Sequence, residues 1–322
     1  MKVDLSIIIL SYNTRELTQG CISSLIGSLQ KNKNVKFELI VVDNGSTDRS
    51  VELLKNYQKS TLNQNKYGSG LPRTDLRSGT GANISFRLIL NKKNVGYPKG
   101  NNQGLKVAKG KYILFLNSDV ISEKIDFEKL INYLDMHPEI GALTVKVLLS
   151  DANIDPASHR GFPTIWNSFC YFIGLEGLLR NVPFVNRIVG GYHLLHLNLA
   201  NIHEIDSASG AFYLSRRDIL EKVGGFDESF FIYGEDLDLS FRIKKLGFKV
   251  IYYPEFKVTH LKHSSGLKKN DVETRRKTRF HFFNAMEIFY KKHYDKRYPA
   301  VINRLIYFLL ITIKNFYVQN RN

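Results

Sequence analysis

The chain has 322 residues, enough for one large core and an appendage, and its 43% hydrophobic content excludes global disorder. Lys and Arg number 46 against 30 Asp and Glu, a net charge of +16 that calls for an anionic partner: nucleic acid, a membrane surface or a phosphorylated substrate. Cys21 and Cys170 make neither a metal-type spacing nor a disulfide framework, so a reducing cytoplasm is expected.

The first apolar run, residues 5–10, reads as a strand and is too short for a signal peptide. Residues 17–29 carry Leu17, Cys21, Leu25 and Leu29 at helical spacing, and residues 38–42 form a second strand. That strand ends at Asp43-Asn44-Gly45-Ser46-Thr47-Asp48, a turn able to cap a helix at 50–57. Residues 59–82 are polar and rich in Gly, Ser and Asn, as in a surface loop or insertion. Strand 84–90, helix 101–108, strand 112–116, helix 123–137 and strand 141–148 follow. Short apolar runs alternating with helical patterns predict βαβ units and a parallel sheet.

The pattern breaks over residues 151–201. One or two short helices are expected within 162–189, lining an acceptor cleft or, as the more economical expectation, packing Phe169, Phe172, Ile173, Leu178, Leu179 and Val182 into a core. Regularity returns with strand 208–214, a glycine turn at 224–231, helix 235–246 and strand 249–253. Residues 262–279 are strongly basic, and 280–318 combine aromatic, apolar and basic residues at helical spacing. No stretch reaches the roughly 18–20 apolar residues that span a bilayer. An apolar face edged by Lys and Arg instead suits a helix in an anionic membrane interface, with packing on the catalytic domain or in a dimer as the alternative.

Two acidic signatures stand out against the positive charge. Asn117-Ser118-Asp119 closes the central strand at the end where open α/β sheets bind ligands. Glu235 and Asp236 open a helix, amid Asp227, Glu228 and Asp238. The helix dipole accounts for one such acid, whereas crowding of several raises a pKa into the range of a general base. One carboxylate for a metal-bound diphosphate and another to accept a proton are what sugar transfer from a nucleotide requires. Asp43 is placed to accept from a pyrimidine imide, Lys99 in a glycine-bearing loop to pair with phosphate, and His260 to act as a second metal ligand.

The ordered segments SIIILSYN, ELIVVDNGSTD, NVGYPKGNNQG, YILFLNSD, SGAFYLSRR, GGFDESFFIYGEDLDLSFR and a late VTH resemble the inverting family-2 glycosyltransferases, rhamnosyltransferase-like branch. The resemblance covers residues 5–260. It implies a GT-A fold, a Rossmann-like nucleotide-binding sheet with an acceptor-binding portion, in residues 1–265; the helical spacing and basic, aromatic composition beyond it predict a membrane-associating tail in 266–322. It also implies a dTDP- or UDP-sugar donor, Mg²⁺ or Mn²⁺, a saccharide acceptor that is lipid-linked, and a peripheral place on the inner face of the cell membrane. Residue by residue, Tyr12, Asn13, Asp43 and Asn44 would hold the nucleoside, and Asn94 and Lys99 would line the donor site. Asn117 and Ser118 precede the metal carboxylate Asp119, His260 joins the metal, and Asp236 is the base with Glu235 as its neighbour. Gly210 and the 224–226 turn would floor the acceptor site. Nucleic acid is not an expected partner, since no reader motif accompanies the charge and the acidic cluster would repel phosphate. A sugar-nucleotide pyrophosphorylase would carry a Gly-rich basic loop after the first strand, where Thr14-Arg15 stands instead.

Overall fold

The computed structural model describes residues 3–29, 32, 34–63, 84–262 and 272–319. In chain order the elements are β1 (Leu5–Ser11), α1 (Arg15–Leu29), β2 (Phe37–Asp43), α2 (Ser50–Asn63), β3 (Ser85–Leu90), α3 (Tyr97–Val107), β4 (Tyr112–Asn117) and β5 (Val120–Ile121). Then come α4 (Phe127–Met136), β6 (Ile140–Leu149), the short helices α5 (Ile165–Phe172), α6 (Leu175–Leu178) and α7 (Val185–Val189), β7 (His203–Ile205) and β8 (Phe212–Arg216). The chain continues through α8 (Arg217–Val223), α9 (Glu235–Lys245), β9 (Lys249–His260), α10 (Val272–His293) and α11 (Ala300–Gln319).

Among the described residues the strands form one sheet in the order β3-β2-β1-β4-β8-β6-β9-β5, with β7 added to β9. The first four are parallel, as the alternating pattern predicts, but β8 inserts antiparallel to β4, so the sheet is mixed. β1, β2 and β4 read as unbroken apolar runs because helices cover both their faces. Leu5, Ile7 and Ile9 share a core with α1, α2 and α4, while Ile8, Ile113 and Phe115 share one with α3, α8 and α9, Ile8 lying against Gly104 of α3. Each such side chain, fully buried, contributes about 1.5–3 kcal/mol.

Several boundaries move. Helix α2 runs to Asn63, so the loop expected from residue 59 starts later, and residues 64–82 of that expectation lie outside the described residues. Helix α3 begins at Tyr97, with Pro98 in its first turn, where the missing N–H costs nothing. Strand β9 does not stop at Tyr253. It steps over Pro254 by a register shift opposite Val145 and Lys146, then resumes pairing as far as Leu149 opposite His260.

The 280–318 pattern resolves into α10 and α11. Helix α10 is docked on α9: Phe230, Leu237 and Phe241 share a core with Ala285, Phe289, Tyr290 and Tyr294. Beside it the buried Asp238 carboxylate meets Arg242 Nε, Lys292 Nζ and His293 Nε2, each at 2.7 Å. The division expected at 265–266 falls outside the described residues. No described helix is long and apolar enough to cross a membrane.

Candidate active site

The carboxyl ends of β1, β2 and β4 open onto a cleft of about 1730 Å³, whose lining includes Tyr12, Asn13, Asn44, Asn94, Asn117, Ser118, Asp119, Glu235, Asp236 and His260. Asp43 and Lys99 are not on its wall. Lys99 lies exposed on α3, so the phosphate contact expected of it is not in place. Asp43 is fully buried, with one carboxylate oxygen taking the Gly45 and Ser46 amides and the other without a partner.

Much of the asparagine chemistry holds backbone in place. Asn13, at φ +53°, accepts from the Thr47 amide at 2.7 Å and ties β1 to the turn after β2. Asn44 donates to Asn94 Oδ1 at 2.9 Å and accepts from the Val95 amide, pinning the loop before α3. That loop can approach because Gly96, at φ +90°, has no Cβ; one would sit 2.8 Å from the Phe231 carbonyl. Asn117 Oδ1 accepts from the Tyr97 hydroxyl at 2.9 Å, which also reaches the Gly210 carbonyl, and Ser118 pairs with Thr14. Gly210 does line the cleft. The 224–226 turn does not: Phe226 is buried against Phe115 and Tyr97.

Asp119 and His260 meet because β5 pairs antiparallel with β9, setting Val120 opposite His260. Asp119 Oδ1 lies 3.2 Å from His260 Nε2. On the other side of the ring, Nδ1 donates to Asp155 Oδ2 at 2.8 Å, and Lys262 donates to the second Asp155 oxygen. Burial alone would lower the His260 pKa, but the bonds to Asp119 and Asp155 outweigh it and raise it to about 9. Burial disfavours ionised Asp155, yet His260 and Lys262 hold it well below the usual carboxylate range.

Among the described residues no group of three or more His, Cys, Asp and Glu forms a metal cluster. Asp119 and His260 nevertheless offer one oxygen and one nitrogen side by side. That suits a divalent ion that takes its remaining ligands from a diphosphate and water. The Asp155 contact fixes the ring as metal-ligating histidines are commonly fixed.

Across the cleft, Gly234 at φ +76° starts α9 without a side-chain cap, and Glu235, Asp236 and Asp238 occupy the first turn, where the helix dipole favours anions. Asp236 Oδ2 accepts from Arg160 Nη2 at 2.7 Å and from the Gly210 amide at 3.1 Å. Both members of that ion pair are buried. Burial and the adjacent Asp236 charge raise the Glu235 pKa to about 8, and its Oε2 is buried without a partner. The crowding read from the sequence is real, and it falls on Glu235.

Arg160 and Asp155 were absent from the sequence reading, and Tyr97 stood in it only within the segment NVGYPKGNNQG, with no role of its own. Arg160 and Asp155 sit in the aperiodic 151–201 stretch, and nothing local marks either. The expected core packing of that stretch is overturned as well. Phe169, Phe172, Ile173, Leu178 and Val182 are exposed, and α5 lines the cleft with Trp166, Phe169 and Phe172.

The profile of glycosyl transferase family 2 matches residues 6–188, more than half the chain, and that of glycosyl transferase family group 2 matches 192–316. The chain belongs to glycosyl transferase family 2. Its family relatives include the N-acetylglucosaminyl-diphospho-decaprenol L-rhamnosyltransferase of Mycobacterium tuberculosis, 26% identical over 230 residues, 71% of this chain and 68% of that protein. The O-antigen biosynthesis protein RfbC of Myxococcus xanthus is 28% identical over 179 residues, 55% of this chain but only 13% of that much longer protein. Among solved structures, the mannosyltransferase PcManGT of Pyrobaculum calidifontis, in complex with GDP-Man and Mn²⁺, superposes with TM-score 0.53 at 14% identity. It covers 90% of this chain and 65% of that one, a likeness of fold. The family-2 chain thus has the expected GT-A fold, with helices added at its C-terminal end.

Proposed function

We propose that this chain is an inverting, divalent-metal-dependent glycosyltransferase that moves a sugar, rhamnose being the favoured candidate, from a dTDP- or UDP-linked donor to a saccharide hydroxyl. The acceptor in this reading is lipid-linked, and the work is bacterial surface polysaccharide synthesis at the inner face of the cell membrane. Residues 1–265 carry the chemistry and 266–322 the membrane-facing tail. The observation that carries the reading is the meeting, in one cleft, of the Asp119–His260 pair with the Glu235–Asp236 pair.

Tyr12, Asn13 and the turn held by Asn44 form the nucleoside side of the cleft, and Asp43, buried behind that turn, holds it through the Gly45 and Ser46 amides. Asp119 and His260 would hold Mg²⁺ or Mn²⁺, which when bound neutralises charge on the leaving diphosphate. The acceptor oxygen attacks the anomeric carbon as its bond to the diphosphate breaks, and the hydroxyl proton passes to Asp236. Arg160 and the Gly210 amide hold the Asp236 carboxylate in place at the start of α9. Burial and the neighbouring Asp236 charge raise the Glu235 pKa, so the proton of the pair is held at Glu235.

The test is turnover on a panel of dTDP- and UDP-sugars with Mn²⁺, in wild type and in Asp236→Asn. The amide keeps the shape but accepts no proton, so turnover should fall by about 10²–10⁴-fold while nucleotide affinity holds. A variant keeping more than about a third of wild-type turnover would move the base to Glu235. Absence of turnover with every donor in wild type would sink the transferase reading.

A further inference from the structure

The cleft is larger than the proposed reaction needs. Small-molecule sites occupy roughly 300–1,000 Å³, and this one reaches about 1730 Å³. Beyond the strand ends its lining takes in residues of α5, α10 and α11, which together make a trough. Its walls are apolar: Trp166, Phe169 and Phe172 from α5, Met286 from α10, Leu305 and Leu309 from α11. Several of these remain exposed, Phe169 at 51% and Leu305 at 53%, so the trough opens to the outside along an apolar edge. The same lining is continuous with Asp236 and includes Lys277, an exposed lysine at the rim beside Glu273, whereas Arg160 and Lys262 there are already engaged by Asp236 and Asp155.

We propose that this trough binds the hydrocarbon chain of a lipid-linked acceptor, an isoprenyl or similar chain carrying a phosphate-linked saccharide, and leads its sugar to Asp236. The inference rests on the transferase reading for the identity of the headgroup. An apolar slot, an exposed lysine at its rim and a lining shared with the acids are the complement of an amphiphile with an anionic joint. Burying the trough's apolar side chains against a hydrocarbon chain removes apolar surface from water, which favours binding.

Trp166 is the sole tryptophan of the chain and stands on the wall, so it reports occupancy directly. Farnesyl diphosphate added to the full-length protein should shift Trp166 emission to the blue, and inorganic diphosphate should not. Leu309→Asp on α11 and Phe172→Asp on α5, each checked for an unchanged melting temperature, should weaken farnesyl diphosphate at least about ten-fold, because the chain would meet a charge. Phe308→Asp, on α11 but outside the trough, should bind it as wild type does.

The proposal is overturned if farnesyl diphosphate in excess leaves Trp166 unmoved, if both wall variants bind like wild type, or if Phe308→Asp weakens binding equally. Equal affinity for short-chain phosphatidylglycerol would assign the trough to ordinary membrane lipid instead. Calorimetry of UDP and dTDP with Mn²⁺ on the same samples keeps the two readings apart. Chain binding without nucleotide binding defeats the transferase reading alone, and the reverse result defeats the trough alone.

Discussion

At the scale of single residues, Glu235 and Asp155 make separable claims. Burial and Asp236 raise the Glu235 pKa from 4.5 to about 8, so the folded state prefers its neutral form. A raised folded pKa contributes stability that is fully present below about pH 4.5 and is lost as pH rises through about 8. Glu235→Gln is neutral at every pH. Its stability should match wild type near pH 4.5 and exceed it by on the order of a few kcal/mol near pH 8. Denaturant melts of both proteins across that window check the difference, and parallel curves would show that Glu235 titrates normally. Asp155 acts through His260. Asp155→Asn keeps the volume but loses the charge that fixes the ring, so affinity for Mn²⁺ with nucleotide should fall about 10–100-fold. Nucleotide affinity without metal should stay unchanged, and calorimetry with and without Mn²⁺ separates the two.

At the scale of elements, what could be read depended on what each apolar residue faces. β1, β2 and β4 were legible because strands covered on both sides become continuous apolar runs. Asp119, Glu235 and Asp236 were legible because a carboxylate at a strand end or helix start leaves a local mark. The pairing of β5 with β9 was not, since it joins Val120 to His260 across the length of the fold. Helix α5 misled because periodicity reports an apolar face and not its occupant; the face lines a cleft. Helix α10 depends on Asp238, whose charge is buried among Arg242, Lys292 and His293. Removing one member of a buried network costs roughly 3–5 kcal/mol, because the others lose compensation. Asp238→Ala should therefore lower the melting temperature and speed amide exchange in Val272–His293 before it does so in β1. Uniform exchange across both elements would show that α10 and the sheet unfold as one unit.

At the scale of the whole molecule, the +16 charge and the exposed apolar residues belong together. Helix α11 packs on the α10 core through Ile306 and Tyr307, with Tyr290 donating to Asn303, yet leaves Val301, Phe308 and Ile311 uncovered. Packing on the domain thus leaves a second apolar face of the same helix open to a proposed membrane contact. The α6–α7 segment adds Leu178, Phe184 and Ile188, all well exposed. Apolar side chains of this kind enter the headgroup boundary, and each nearby Lys or Arg adds about 1 kcal/mol at an anionic surface, attenuated within a Debye length. The protein should therefore sediment with phosphatidylglycerol-containing vesicles at low salt, release as salt rises, and ignore vesicles of phosphatidylcholine alone. The double variant Phe184→Ser, Phe308→Ser removes apolar surface without touching the cleft or the cations. It should lose most of the vesicle binding while keeping its melting temperature and its turnover on a short, water-soluble acceptor. A wild-type protein that stays in the supernatant with anionic vesicles at low salt would end the interfacial reading. A double variant that sediments as wild type does would leave charge as the whole of the attraction.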